Sequence, residues 1–116
     1  MENRITGTTR LIGLFGTPIK HSQSPEMYNY CFKREGIDMA YLTFETDKTT
    51  IEDALKTVRL FDMRGCNVTM PCKSLASELV DEISPVAKVM GAVNTIIHED
   101  GKLKGYNTDG MGLSEV

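Results

Sequence analysis

The sequence has no tryptophan and only eight phenylalanine and tyrosine residues in 116, so it offers no aromatic platform on which successive bases could stack. A basic stripe is missing too: thirteen Lys and Arg, scattered from Arg4 to Lys104, stand against sixteen Asp and Glu for a net charge of -3. Phosphate neutralisation needs clustered positive charge, which excludes nucleic acid as a partner. No apolar run approaches the roughly 20 residues that span a bilayer, and the start, Met1-Glu2-Asn3-Arg4, lacks the apolar stretch of a signal peptide. The expectation is a cytoplasmic chain with no membrane partner. Cysteine is sparse and odd in number, Cys31, Cys66 and Cys72 without a C-x-x-C spacing, and the two histidines, His21 and His98, are far apart. Neither a disulfide framework nor a metal site follows; the thiols are expected to be structural. A dinucleotide loop is also lacking. Gly13-x-x-Gly16 and Gly110-x-Gly112 are the nearest fragments, and neither has the G-x-G-x-x-G spacing with an acidic residue about 20 positions on.

What is present is an ordinary globular composition, 41% hydrophobic and 25% charged, in a chain long enough for one domain with one core. At this size roughly two-thirds of the surface exposed by the unfolded chain is buried on folding. Leu11 to Gly16 reads as a short buried strand ending at a glycine turn. Ser24-Pro25-Glu26 carries N-cap chemistry, a first-turn proline and an acidic residue, which predicts a helix from about Pro25 to Glu35 with Met27, Tyr28, Cys31 and Phe32 on its apolar side and Gly36 as its stop. Ala40 to Glu45 alternates as a strand. Thr49 and Thr50 then cap a second helix whose apolar face holds Ile51, Leu55, Val58 and Phe61.

Gly65 to Val68 makes a third strand, broken at Pro71, and helical patterning resumes from about Cys72 to Val80. Ser84-Pro85 caps a short helix through Met90. Val93 to His98 and Leu103 to Tyr106 form a hairpin around Asp100-Gly101. This order predicts an α/β fold: a three-layer sandwich with a mixed, largely parallel sheet, its first three strands parallel and helices on both faces. The loops after strands one and three would then share one edge, where ligands bind in such sheets.

Four polar clusters fall on loops: His21-Ser22-Gln23-Ser24-Pro25, Asn67-Val68-Thr69-Met70-Pro71-Cys72-Lys73, Gly91-Ala92-Val93-Asn94-Thr95, and Asn107-Thr108-Asp109-Gly110. Ser22 and Ser24, just ahead of a helix with unsatisfied amide groups, suit a carboxylate or phosphate; the plain alternative is that Ser24 caps and Ser22 is solvated. Thr69 and Lys73 put a hydroxyl and an ammonium in one loop, although most lysines are merely solvated. Asn94 interrupts apolar neighbours and needs partners, which backbone groups could equally supply. Asp109 stands where a last helix would be capped.

Taken together, in this order and spacing, the clusters resemble the substrate-binding half of the shikimate dehydrogenase family. The residues carrying the likeness are Pro18 with His21-Ser22-x-Ser24-Pro25, Asn67-Val68-Thr69-x-Pro71-x-Lys73, Gly91 through Ile96, and Gly105 through Gly110. The resemblance implies that residues 1–116 are the N-terminal substrate-binding domain of an oxidoreductase. In that family a separate C-terminal Rossmann domain holds NADP, and the enzyme reversibly reduces 3-dehydroshikimate to shikimate in aromatic amino-acid biosynthesis. It further implies that Ser22 and Ser24 bind the substrate carboxylate, with Thr69 assisting. Asn94 and Asp109 would hold ring hydroxyls, and Lys73 would act as acid/base with Asp109.

An ammonium at Lys73 can stabilise the charge growing on a ketone oxygen under reduction and donate its proton there. Since no dinucleotide loop is present and Leu113-Ser114-Glu115-Val116 reads as the inside of a helix, the chain is expected to be a fragment that is inactive alone. A parent acting on quinate as well as shikimate, or a stand-alone carboxylate-binding module, are the competing readings. The cleft face left bare by a missing domain leaves a homodimer open.

Overall fold

Short apolar runs alternating with amphipathic segments give, in the computed structural model, which describes residues 3–109, one six-stranded sheet with helices on both faces. The elements in chain order are β1 (Arg10–Gly16), α1 (Ser24–Glu35), β2 (Met39–Glu45), α2 (Ile51–Leu60), β3 (Gly65–Val68), α3 (Lys73–Leu79), β4 (Glu82–Ile83), α4 (Pro85–Met90), β5 (Thr95–Glu99) and β6 (Lys102–Tyr106). The spatial order is β2-β1-β3-β5-β6-β4. As expected, β1 runs parallel to both β2 and β3. The β5–β6 hairpin then adds antiparallel strands beside β3, and β4 closes the far edge parallel to β6. The two-residue β4 was not anticipated: it is too short to carry a periodicity.

The period of two along the strands builds two cores. Phe15, Cys66, Val68, Ile96 and Leu103 face α2, α3 and α4. On the opposite face Leu14 and Tyr41 pack against Ile19 and the α1 residue Phe32. The α1 stripe is therefore Tyr28 and Phe32, while Met27, expected on the apolar side, is exposed. Phe61 is a second correction. α2 ends at Leu60, Asp62 takes a left-handed conformation at φ 48°, and the chain turns so that Met63 rather than Phe61 enters the core. The Met63 amide closes that turn by donating to the Val58 carbonyl at 2.9 Å.

Edge strands invite pairing with other chains, and β2 is protected by a side chain acting as a partner strand. Asn29 of α1 accepts from the Tyr41 amide at 2.8 Å and donates to the Tyr41 carbonyl at 2.9 Å. Arg4 donates to Asn29 and to the Met39 carbonyl. The hairpin turn is as predicted, with Asp100 and Gly101 both at positive φ, the geometry a two-residue turn requires. The three thiols are free, Cys66 and Cys72 buried and Cys31 half-buried; burial pushes the Cys66 thiol up.

Candidate substrate-binding cleft

Because β1, β2 and β3 run parallel, their carboxyl ends meet at one edge, and the backbone there is laced together. The Thr69 amide donates to the Phe15 carbonyl at 2.9 Å, that of Thr17 to Met70 at 3.0 Å, and that of Thr46 to Gly16 at 2.8 Å. Only a glycine allows this approach: a Cβ at Gly16 would lie 2.3 Å from Thr69 Cγ2 and 2.8 Å from the Met70 carbonyl oxygen. The peptide bonds before Pro18 and Pro71 are cis.

Above this floor opens a cleft of about 660 Å³, in which Ser22, Ser24 and Thr69 stand together with Lys20, His21 and Glu45. Ser24 does not cap its helix. The N-cap is Gln23, which makes no side-chain cap bond, and Ser24 is the first helical residue. The Ser22 hydroxyl accepts from the Ser24 amide at 3.2 Å, which leaves its proton available to a ligand. The Ser24 side chain lies close enough to the Tyr41 hydroxyl to favour its ionised form slightly.

From there a chain of donors runs under the sheet edge. Tyr41 donates to Asn67 Oδ1 at 3.0 Å, Asn67 Nδ2 to Thr95 Oγ1 at 3.4 Å, and Thr95 Oγ1 to Asn94 Oδ1 at 3.0 Å. The network joins the predicted binding residue Asn94 to three side chains that sequence reasoning assigned no role. The period-two placement of Tyr41 and the position of Asn67 in its motif were the available signals. Burial, reinforced by Tyr28 stacked on the ring with centroids 4.6 Å apart, pushes the Tyr41 hydroxyl up to about 12.

The other predicted residues fall into two groups. Lys73 opens α3, half-buried, and lines a second concavity of about 480 Å³ with Lys48 and Met70. Its side chain has no hydrogen-bond or ion-pair partner among the described residues, while its carbonyl accepts from the Val93 amide at 3.0 Å. Asn94 lies ahead of β5 rather than within the strand predicted from Val93. Its carboxamide holds the start of the last segment, donating to Thr108 Oγ1 at 2.9 Å and accepting from the Thr108 amide at 3.0 Å. Asp109 follows, exposed and already helical in conformation. No ion pair joins it to Lys73 among the described residues. Gly110 of the last motif, and the helix expected at Leu113 to Val116, lie outside the described residues.

The glycine fragment of β1 offers no dinucleotide loop. Backbone approach by a pyrophosphate needs open glycines, yet Gly16 is filled by Thr69 and Gly13 by the Phe44 ring and Met63. Among the described residues there is also no group of three or more potential metal ligands, and no helix is long and apolar enough to cross a membrane.

A hydroxyl-lined cleft at the carboxyl ends of parallel strands defines an α/β small-molecule-binding domain. The particular kind follows from comparison: residues 14–96 match the family model described as the shikimate dehydrogenase substrate binding domain, and the chain belongs to that family. It is 47% identical to the shikimate dehydrogenase (NADP(+)) of Alkaliphilus metalliredigens over 97% of this chain and 39% of that protein. It is also 47% identical to the quinate/shikimate dehydrogenase of Escherichia coli O17:K52:H18, over 93% of this chain and 38% of that one. The crystal structure of shikimate 5-dehydrogenase from Listeria monocytogenes in complex with shikimate and NAD superposes with a TM-score of 0.93 at 44% identity, covering 99% of this chain and 40% of the other. The chain thus spans about two fifths of the length of the relatives it matches.

Proposed function

We propose that residues 1–116 form the substrate-binding domain of an NADP-dependent shikimate dehydrogenase, the protein that reversibly reduces 3-dehydroshikimate to shikimate. The NADP-binding domain belongs to the remaining three fifths of the relatives' length. The observation that carries the reading is the convergence of Ser22, Ser24 and Thr69 in one cleft at the β1 and β3 ends. In this reading the serines and Thr69 receive the substrate carboxylate, and Asn94 and Asp109 take ring hydroxyls. Lys73, without an ion-pair partner among the described residues, supplies the proton to the carbonyl oxygen as it gains charge. The setting is cytoplasmic.

Nuclear magnetic resonance titration of this chain with shikimate tests the site. Amide shifts at Ser22, Thr69, Lys73, Asn94 and Asp109 support it; shifts confined to other surfaces overturn it. The chain's 47% identity to both a shikimate and a quinate/shikimate enzyme supports quinate as a second substrate, checked by comparing the two acids in the same titration.

A further inference from the structure

The cleft that holds the two serines also contains a carboxylate, Glu45, at the end of β2. A negative charge in a site read as binding an acid needs an explanation, and its contacts provide one. Glu45 Oε2 accepts from the Ile19 amide at 2.9 Å, and Oε1 accepts from the Thr17 hydroxyl at 3.2 Å. Both oxygens are committed to the segment that leaves β1 and delivers Ser22 and Ser24.

That segment has few other ties to the sheet. Thr17 is held at its start through Met70, and the Ser22 amide turns back only locally, onto the Ile19 carbonyl at 3.1 Å. Ile19 is 5% exposed and seated in the α1-side core, so fixing its amide fixes the turn whose next residues line the cleft.

We propose that Glu45 is a positioning residue for the carboxylate subsite: by pinning Thr17 and Ile19 it holds Ser22 and Ser24 at the spacing a ligand carboxylate requires. The inference rests on the reading of that subsite given above. Strand-end glutamates are usually solvated charges, and this one is exposed; what distinguishes it is the pair of bonds to a loop 26 and 28 positions away in sequence.

The test uses this chain, wild type, Glu45→Ala and Glu45→Gln, titrated by nuclear magnetic resonance with shikimate and with its methyl ester. Glu45→Gln keeps both contacts, since its amide oxygen can accept from Ile19 and its amide nitrogen can donate to Thr17, while the charge is gone. The expected result is a roughly tenfold loss of shikimate affinity in Glu45→Ala, with little change for the ester. Glu45→Gln should stay within about twofold of wild type, and the free Glu45→Ala chain should show displaced Ser22 and Ser24 amides. Unmoved serine amides and unchanged affinity in Glu45→Ala would overturn the proposal while leaving the carboxylate subsite intact. So would Glu45→Gln losing as much as Glu45→Ala, which would make charge the cause. A wild type that binds acid and ester alike would instead remove the subsite, and the proposal with it.

Discussion

The Tyr41 hydroxyl donates to Asn67 Oδ1 at 3.0 Å, tying β2 to β3 across the strand between them. Tyr41 is 1% exposed, so the phenol is held neutral, and burial first, then Tyr28, pushes it up to about 12. In the unfolded chain it ionises near pH 10. The stabilisation is therefore complete below about pH 10 and is lost as pH rises toward about 12, amounting to on the order of 2–3 kcal/mol. Urea unfolding at pH 9 and pH 11.5 should show this loss in wild type and a smaller one in Tyr41→Phe. Equal pH dependence in both proteins would show that other groups cause it.

Gly16 should tolerate nothing larger. In Gly16→Ala the new methyl would press on the Thr69 side-chain methyl and on the backbone carbonyl of Met70, costing about 1–3 kcal/mol by overpacking. The same displacement moves Thr69 out of the cleft wall. Thermal unfolding and the shikimate-induced shift at Thr69 should both change; a variant with wild-type values for both would mean the two loops yield freely.

Much of this was legible in the sequence. β3 and α4 fall where their punctuation put them, because Pro71 and Ser84-Pro85 are local signals acting through local chemistry. The parallel core was legible for the same reason, from the alternation of strand and helix. Contacts between distant segments were not. Asn29 sealing β2, the relay through Thr95 and the grip of Glu45 on Ile19 each join residues that only the fold brings together. Phe61 shows a different failure, since helical periodicity continues through it and only the turn at Asp62 decides that Met63 takes the core position.

Asp81 anchors the far side of the sheet. Its Oδ2 accepts from the Leu103 amide at 2.7 Å and from Arg59 at 2.6 Å. Those bonds, the backbone one foremost, hold the carboxyl below its ordinary value. A depressed carboxylate stabilises the fold above the unfolded value and loses that contribution as pH falls below about 4. Asp81→Ala should cost about 1–2 kcal/mol at pH 7 and show less acid sensitivity than wild type in denaturant titrations at pH 7 and pH 3. An unchanged midpoint at pH 7 would leave the two contacts without energetic weight.

Lys73 is the residue on which turnover should depend. Removing the ammonium in the active dehydrogenase takes away both the proton and the charge opposite the growing oxyanion, so Lys73→Ala should lower kcat by about 10²- to 10⁴-fold. Shikimate binding should remain within about threefold, because the carboxylate is held elsewhere. Steady-state kinetics with a parallel binding measurement separate the two effects. Near-normal kcat would sink the acid/base assignment.

The serines should show the opposite pattern, a loss of binding specific to charge. Ser22 keeps a hydroxyl proton free while its oxygen accepts from the Ser24 amide, and both hydroxyls stand in the cleft with Thr69. Hydrogen bonds to a charged group contribute about 1.5–3 kcal/mol each. Replacing both serines by alanine should therefore weaken shikimate by about 10²- to 10⁴-fold, and its methyl ester far less because the charge that strengthens those bonds is absent. Titrating wild type and the double variant with acid and ester gives four affinities, and the ratio of ratios isolates the charge-dependent part. A ratio near one would mean that the hydroxyls hold some other part of the ligand, and the carboxylate would have to lie nearer Lys20 and His21 in the same cleft.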